Sequence, residues 1–380
     1  MSAIQLHRTL PESSSSAYQP FQTVDFLLDV RGRKLIKNSI RIEGTIKALD
    51  NVTGGASITS ASGVKLENAI GAHAFFDSFT VETENKGVLE NLANYPRHAN
   101  MVSRATLTSD DILSSQYIAE GRGPVEANGN YVLQQVADNA FITAQTTPVA
   151  TNNVDPSFSI RPSICFNRMG GDDYSFSKNG FIRVSMILSS ATECLFGGAD
   201  QPKTYSLTDL ACRFQTSQDD GSQGAMLMKS YVNVVSSVQS TSTTVSARVP
   251  SQSVNGVAMS FINQSDVRSN QRNAYELQRL PQWSNIEFLF NNSLQEYLTY
   301  TIRDESDALQ KGLEALESAG HSQVSSKTLK ANKGTIFGLA FNSYIDLSQQ
   351  KFTTNFKIDS DTITQNPMDV QMFFSTLLTM

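Results

Sequence analysis

The sequence predicts an all-β chain built as two consecutive antiparallel β-sandwiches with short helical insertions. Three observations carry this. Short stretches alternate apolar and polar residues with a period of two, the mark of half-buried strands. Turns rich in Gly, Ser and Asn punctuate them, and no helix follows each strand as a parallel α/β sheet requires. The 380 residues are more than one sandwich needs and suit two of about 150 to 200 residues each.

Residues 1 to 20 read as a flexible N-terminal arm: the run Ser13 to Ser16, between Pro11 and Pro20, buries no apolar surface and is expected to order only against a neighbour. Val24, Phe26 and Leu28 then share one face. In SIRIEGTIKA (39 to 48), Ile40, Ile42, Ile46 and Ala48 share another, and 51 to 63 is a Gly/Ser-rich loop. AFFDSFTVET (74 to 83) places Phe75, Phe79 and Val81 on one side. Val88, Leu89, Leu92 and Ala93 carry helical spacing that Pro96 ends. Ser109-Asp110-Asp111 reads as the N-cap of a short helix through Leu113. The stretch 119 to 157 is polar, with short strand signals at 131 to 133 and 140 to 143.

Strand signals return at 157 to 166, 181 to 188 and 205 to 216, where Leu210, Cys212 and Phe214 align. The segment 218 to 224, QDDGSQG, reads as the linker, which makes 21–217 the first sandwich and 218–380 the second. In the second half, strands are expected at 230 to 238, 243 to 249, 256 to 262 and 286 to 290. Ser293 and Glu296 form a capping box before a helical run of Leu294, Tyr297, Leu298 and Ile302. A second helix carries Leu309, Leu313 and Leu316 and stops at Gly320. Strands at 335 to 341, 351 to 358 and 370 to 378 close the chain.

Charged residues make up only 17% of the chain, and hydroxyl and amide residues fill the gap, as suits half-exposed strands and many turns. The formal net charge of -6 excludes a general affinity for nucleic-acid phosphates, so direct nucleic-acid binding is not expected. Cys165, Cys194 and Cys212 are odd in number and lack paired spacing, which argues against a disulfide framework and a zinc site; buried reduced thiols are expected. The opening residues lack the apolar segment of a secretory signal, and no run approaches the ~20 apolar residues that span a bilayer. The chain is therefore expected to be soluble and to stay where it is made.

No catalytic constellation emerges. His7, His73, His98 and His321 are scattered without metal or relay spacing, and His321 sits past a helix end where a cation favours the dipole. Asp172-Asp173 and Asp219-Asp220 are carboxylate pairs of the kind that hydrolases and calcium sites use, but both lie in Gly-containing turns that favour Asp for its backbone bonding. Gly170-Gly171 and Gly197-Gly198 precede no Lys-Ser/Thr, so they make no phosphate loop. The sequons at Asn51 and Asn291 carry no weight without a secretory signal. Trp283 reads as a core plug or a subunit contact. No catalytic, cofactor-binding or metal-binding residue and no cofactor is assigned; a chain this long without such a constellation is expected to bind or to build.

Several segments, in order, resemble the double jelly-roll major capsid proteins of tailless icosahedral DNA viruses, the lineage of adenoviruses, virophages, polinton-like elements and tailless membrane-containing phages. They are FQTVDFLLDVRGRKLIKNSIRIEGTIKA, with its Ser39 to Gly44 step; 69 to 102, with Asn94-Tyr95-Pro96; SFSIRPSICFN, GFIRVSMILSSATECLFGG and YSLTDLACRF; and, in the second half, LQRLPQWSNIEFLFN and the terminal FTTNFKIDSDTITQNPMDVQMFFSTLL. The resemblance implies two eight-stranded jelly rolls standing side by side, and three subunits making a pseudo-hexagonal capsomer. It implies a virion location after synthesis in the host cytoplasm. Its partners are sister copies, neighbouring capsomers, minor or penton proteins and an internal membrane that the arm would tie to. Two alternatives stand beside it. One is a minor or vertex capsid protein or a spike. The other is a carbohydrate- or amide-hydrolysing enzyme on the same scaffold, with a cleft using Glu82, Glu84 or Asp173.

Overall fold

Alternation of apolar residues becomes alternation of burial along most of the chain. The computed structural model describes residues 4–49, 64–67, 69–106, 119–122, 125–127, 130–132, 157–197, 203–267, 269–290, 300–321 and 336–380. The principal strands of the first half are β1 (Gln5–Thr9), β2 (Thr23–Leu28), β3 (Arg33–Leu35), β4 (Arg41–Leu49), β5 (Phe76–Thr83), β6 (Gly87–Leu92), β7 (Ser157–Ile160), β8 (Tyr174–Ser175), β9 (Ile182–Leu188) and β10 (Thr204–Gln218). Helix α1 (Tyr95–Thr106) follows β6. The second half contributes β11 (Met226–Val238), β12 (Ser242–Ala247), β13 (Val254–Asn263), β14 (Trp283–Phe290), β15 (Tyr300–Ile302), helix α2 (Glu305–Ser318), β16 (Phe337–Ile345), β17 (Phe352–Ile358) and β18 (Met368–Thr379).

Three sheets organise these strands. One of six runs β7-β4-β10-β3-β8, with β1 added on β10. One of nine runs β2-β9-β5-β6-β11-β18-β13-β16, with the short segment Met169–Gly171 also on β11. One of four runs β12-β17-β14-β15. The nine-stranded sheet passes through both halves, and its joint is a parallel pairing of Asn91 on β6 with Val232 on β11. All other pairings are antiparallel among the described strands.

Two apolar clusters fill the halves, the first of which also takes in Tyr231, Leu316 and Phe373 of the second half. In the first, Val24, Phe26, Phe79, Val81 and Val184 of the long sheet meet Ile42, Ile46 and Phe214 of the six-stranded sheet. In the second, Val257, Met259, Met372 and Phe374 meet Val245, Phe288, Phe352 and Phe356. Edge-to-face aromatic pairs cross the second layer: Phe261 on Phe356 at 5.7 Å and Phe352 on Phe374 at 5.3 Å. Trp283 is half-buried and sets its ring against Phe337 at 5.4 Å, so it plugs the second core. The observed class is all-β, two jelly-roll sandwiches with short helical insertions.

Several elements differ from expectation. Residues 88 to 92 form a strand, β6, hairpinned onto β5. The helix begins after them, with Pro96 in its first turn, where the missing N–H has no partner to lose. Ile302 lies in β15 and not in a helix; Ser293, Glu296 and the loop 51–63, like 109–113 and 140–143, fall outside the described residues. The segment expected to be a free arm carries β1, registered Gln5 to Thr216 and Thr9 to Cys212. It also carries Tyr18, which is buried and bridged to Leu207. His7 and Thr9 turn inward, so two sequence positions in a short alternating stretch are enough to dock it.

Helix α2 holds its expected stop: Gly320 has φ +91°. Asp304 caps its start by accepting from Asp307 N at 2.9 Å. At Gly312 the helix approaches the sheet so closely that a Cβ would stand 2.2 Å from the Ile336 carbonyl oxygen.

Candidate functional site

The four histidines serve packing. On β1, His7 Nε2 lies 2.8 Å from Thr216 Oγ1 and the ring stacks on Phe214. Burial and Arg33 hold its pKa below the ordinary value. His73 is buried, with Nδ1 2.5 Å from the Tyr95 hydroxyl and Nε2 3.4 Å from Glu120 Oε2. The fold therefore assembles a Glu120–His73–Tyr95 line that sequence spacing does not reveal. Burial and Arg122 keep His73 neutral, and burial raises the Tyr95 pKa, so the phenol keeps its proton. The line is enclosed and anchors Arg122, whose Nε meets Glu120 at 2.8 Å.

His98 on α1 is fully buried against Tyr231 and Phe373, at 4.3 and 5.2 Å between ring centroids. Among the described residues neither ring nitrogen has a hydrogen-bond partner. Burial first, then Arg168 and His321, push its pKa well down. His321 shares a 2.6 Å hydrogen bond with the Tyr231 hydroxyl. Burial, Arg168 and Lys229 lower its pKa to about 3. It is a neutral acceptor or donor in the interior and not the helix-end cation expected from its position.

The two Asp pairs come together around one lysine. Lys34 Nζ lies 2.8 Å from Asp220 and 3.9 Å from Asp172. Asp219 accepts from Ser175 Oγ at 2.5 Å, Asp172 from Gly224 N at 2.6 Å, and Asp173 from Lys37 N at 3.1 Å. The Gly224 amide lowers the pKa of Asp172, Ser175 that of Asp219 and Lys34 that of Asp220. Ionised acceptors pinning the 218–224 turn to the 170–173 turn are what the geometry provides; a general acid needs the opposite shift. Glu82 and Glu84 face Arg183 and Arg31, at 4.0 and 3.0 Å, so they and Asp173 engage separate partners. Among the described residues no three His, Cys, Asp or Glu side chains group so as to hold a metal. The three cysteines are free and buried, and burial raises each thiol pKa.

A buried polar network lies at the seam between the halves. Glu90, buried on β6, accepts from Cys165 N at 2.6 Å and Tyr231 N at 3.0 Å, and pairs with Arg168. Arg168 also lies over the Tyr231 ring, 4.7 Å from its centroid. Buried Arg104 pairs with Glu67 at 2.8 Å, and Asn273 of the second half donates to the same carboxylate. Sequence reading missed Glu90, on a strand, and Glu67, in a loop, because a lone Glu carries no local signal of burial. Beside the Glu90 network opens a cavity of about 670 Å³, lined in part by Arg161, Arg168, Lys229, His321 and Tyr344. No helix among the described residues is long and apolar enough to cross a membrane.

No protein-family model matches the chain, and no curated protein matches it in sequence. Solved structures do match its fold. Faustovirus major capsid protein is similar with a TM-score of 0.60 at 10% identity, over 100% of this chain and 91% of that one. PBCV-1 VP54, fitted into a reconstruction of the virophage Sputnik, gives 0.59 at 10% identity over 100% and 95%. A chain of the Sputnik virophage gives 0.55 at 11% identity over 99% and 86%. The whole chain, from arm to last strand, thus has the double jelly-roll fold of viral major capsid proteins.

Proposed function

We propose that this chain is a major capsid protein that assembles as homotrimeric, pseudo-hexagonal capsomers of an icosahedral viral shell. The observation that carries the reading is the pair of sandwiches set side by side on one continuous sheet, spanning the entire chain in the manner of capsid subunits. Two such units per chain make six in a trimer, which is how three copies fill a six-cornered lattice position. The two jelly rolls divide at 217/218 in this reading. The chain works without chemistry of its own, in the virion, after synthesis in the host cytoplasm. Its partners are sister copies, adjoining capsomers, minor or penton proteins and an underlying membrane.

Leu6 on β1, and Ile4 and Leu10 at its two ends, are each at least 60% exposed. Exposed apolar side chains along and beside an edge strand are a surface that sister subunits commonly cover. Light scattering on the purified protein is expected to give three times the 41.6 kDa chain mass. A monodisperse monomer at micromolar concentration overturns the proposal.

A further inference from the structure

We propose that the seam cavity is a binding site for a phosphate ester. Its volume of about 670 Å³ is that of a small-ligand pocket. Its described lining carries three cations, Arg161, Arg168 and Lys229, and no carboxylate. Glu90 offsets Arg168 from inside the seam. The other two have no such partner: among the described residues neither Arg161 nor Lys229 makes an ion pair.

Lys229 is held at the wall. Its ammonium donates to the Ser318 carbonyl at 3.3 Å and lies where a Cβ on Gly320 would stand, 2.3 Å from Nζ. Half-burial lowers its pKa with no carboxylate to oppose it. His321, on the same wall, is kept unprotonated by burial and by Arg168 and Lys229. An anion entering this space finds one buried guanidinium, one half-buried ammonium and one exposed guanidinium on its walls.

The donor set selects among anions. A guanidinium fork matches two oxygens of a phosphate, and an ammonium meets another as a point charge. The rest of the lining mixes Asn38, Asn167 and Thr106 with Leu227, Leu377 and Met169, and it includes the ring of Tyr344, 52% exposed. The Tyr344 ring and the apolar side chains beside it give an organic, planar body a surface that a bare ion does not use.

Calorimetric titration of the full chain tests this with four probes at matched ionic strength: adenosine monophosphate, inorganic phosphate, acetate and adenosine. Saturable binding of one adenosine monophosphate per chain is expected, tighter than inorganic phosphate, with no binding of acetate or adenosine. Arg161→Gln and Lys229→Gln are each expected to weaken it about tenfold, the loss typical of a charge-assisted contact. Lys47→Gln, which removes an exposed charge from β4, is expected to leave it unchanged. Arg161 is exposed, so its variant keeps the fold and decides the matter if the Lys229 variant does not fold. Absence of saturable phosphate binding, acetate binding as tight, or affinity indifferent to Arg161→Gln overturns the site. Inorganic phosphate binding as tightly as the ester overturns the role given to the organic body.

Discussion

Replacing Glu90 by Leu tests whether the seam is held by its buried charge or by apolar packing alone. The carboxylate takes three donors, the Cys165 and Tyr231 amides and the Arg168 guanidinium, next to the parallel joint at Asn91 and Val232. Leucine fills much the same volume, so the loss measures polar partners and not a cavity. Stranding one member of a buried ion pair costs about 3–5 kcal/mol. Arg168 keeps the Ser163 hydroxyl at 2.8 Å and the Tyr231 ring at 4.7 Å, which places the expected loss near the lower end, about 3 kcal/mol. Chemical denaturation followed by circular dichroism, at one fixed protomer concentration, measures it. Adding Arg168→Met is expected to restore part of the loss, because it removes the stranded charge but leaves the Cys165 and Tyr231 amides without their acceptor. A Glu90→Leu loss under about 1 kcal/mol, or a double variant worse than the single one, refutes the argument.

Three further outcomes follow from the packing of the chain. Glu276 sits where burial, then Glu67, raise its pKa from 4.5 to about 7. Its folded state holds a proton that the unfolded state has released, so stability is expected to fall as pH rises from about 4.5 to about 7. Glu276→Gln is expected to flatten that slope in thermal melts across the range, and an unchanged slope removes the assignment. Gly312→Ala should stabilise an ordinary helix by about 1 kcal/mol. Here the Ile336 carbonyl blocks the methyl, and a net loss of about 1–3 kcal/mol is expected; a raised melting temperature contradicts the close approach. Cys165, Cys194 and Cys212 are expected to resist a thiol reagent in the native protein and to react together on unfolding, because each is buried with its thiol protonated. Rapid native labelling of any one refutes the burial.

Most of the strand map was legible because it rests on a local signal. Val24, Phe26 and Leu28, or Ile182, Val184 and Met186, alternate in sequence and are buried in the structure. The errors came where two local readings compete. Residues 88 to 93 fit helical spacing, yet the Val81 to Glu90 pairing on β5 makes them a strand, and Pro96 starts the helix that it was expected to end. The candidate sites were legible only as residues. Asp172 and Asp220 lie far apart in sequence, and only the closing of the 170–173 and 218–224 turns puts Lys34 between them. His73 carried no relay spacing, because Glu120 and Tyr95 reach it from other elements.

What the sequence by itself determined is the class: period-two burial, turn chemistry and length lead to two sandwiches, since each strand's inward face follows from its own residues. Tertiary structure alone decided the continuous sheet, the docking of the N-terminal strand, and the charge pattern of the seam. Those depend on which distant strands become neighbours and on how much water is removed around Glu90, Arg168 and His321. Desolvation is a property of the packed assembly of elements, and no residue announces it alone.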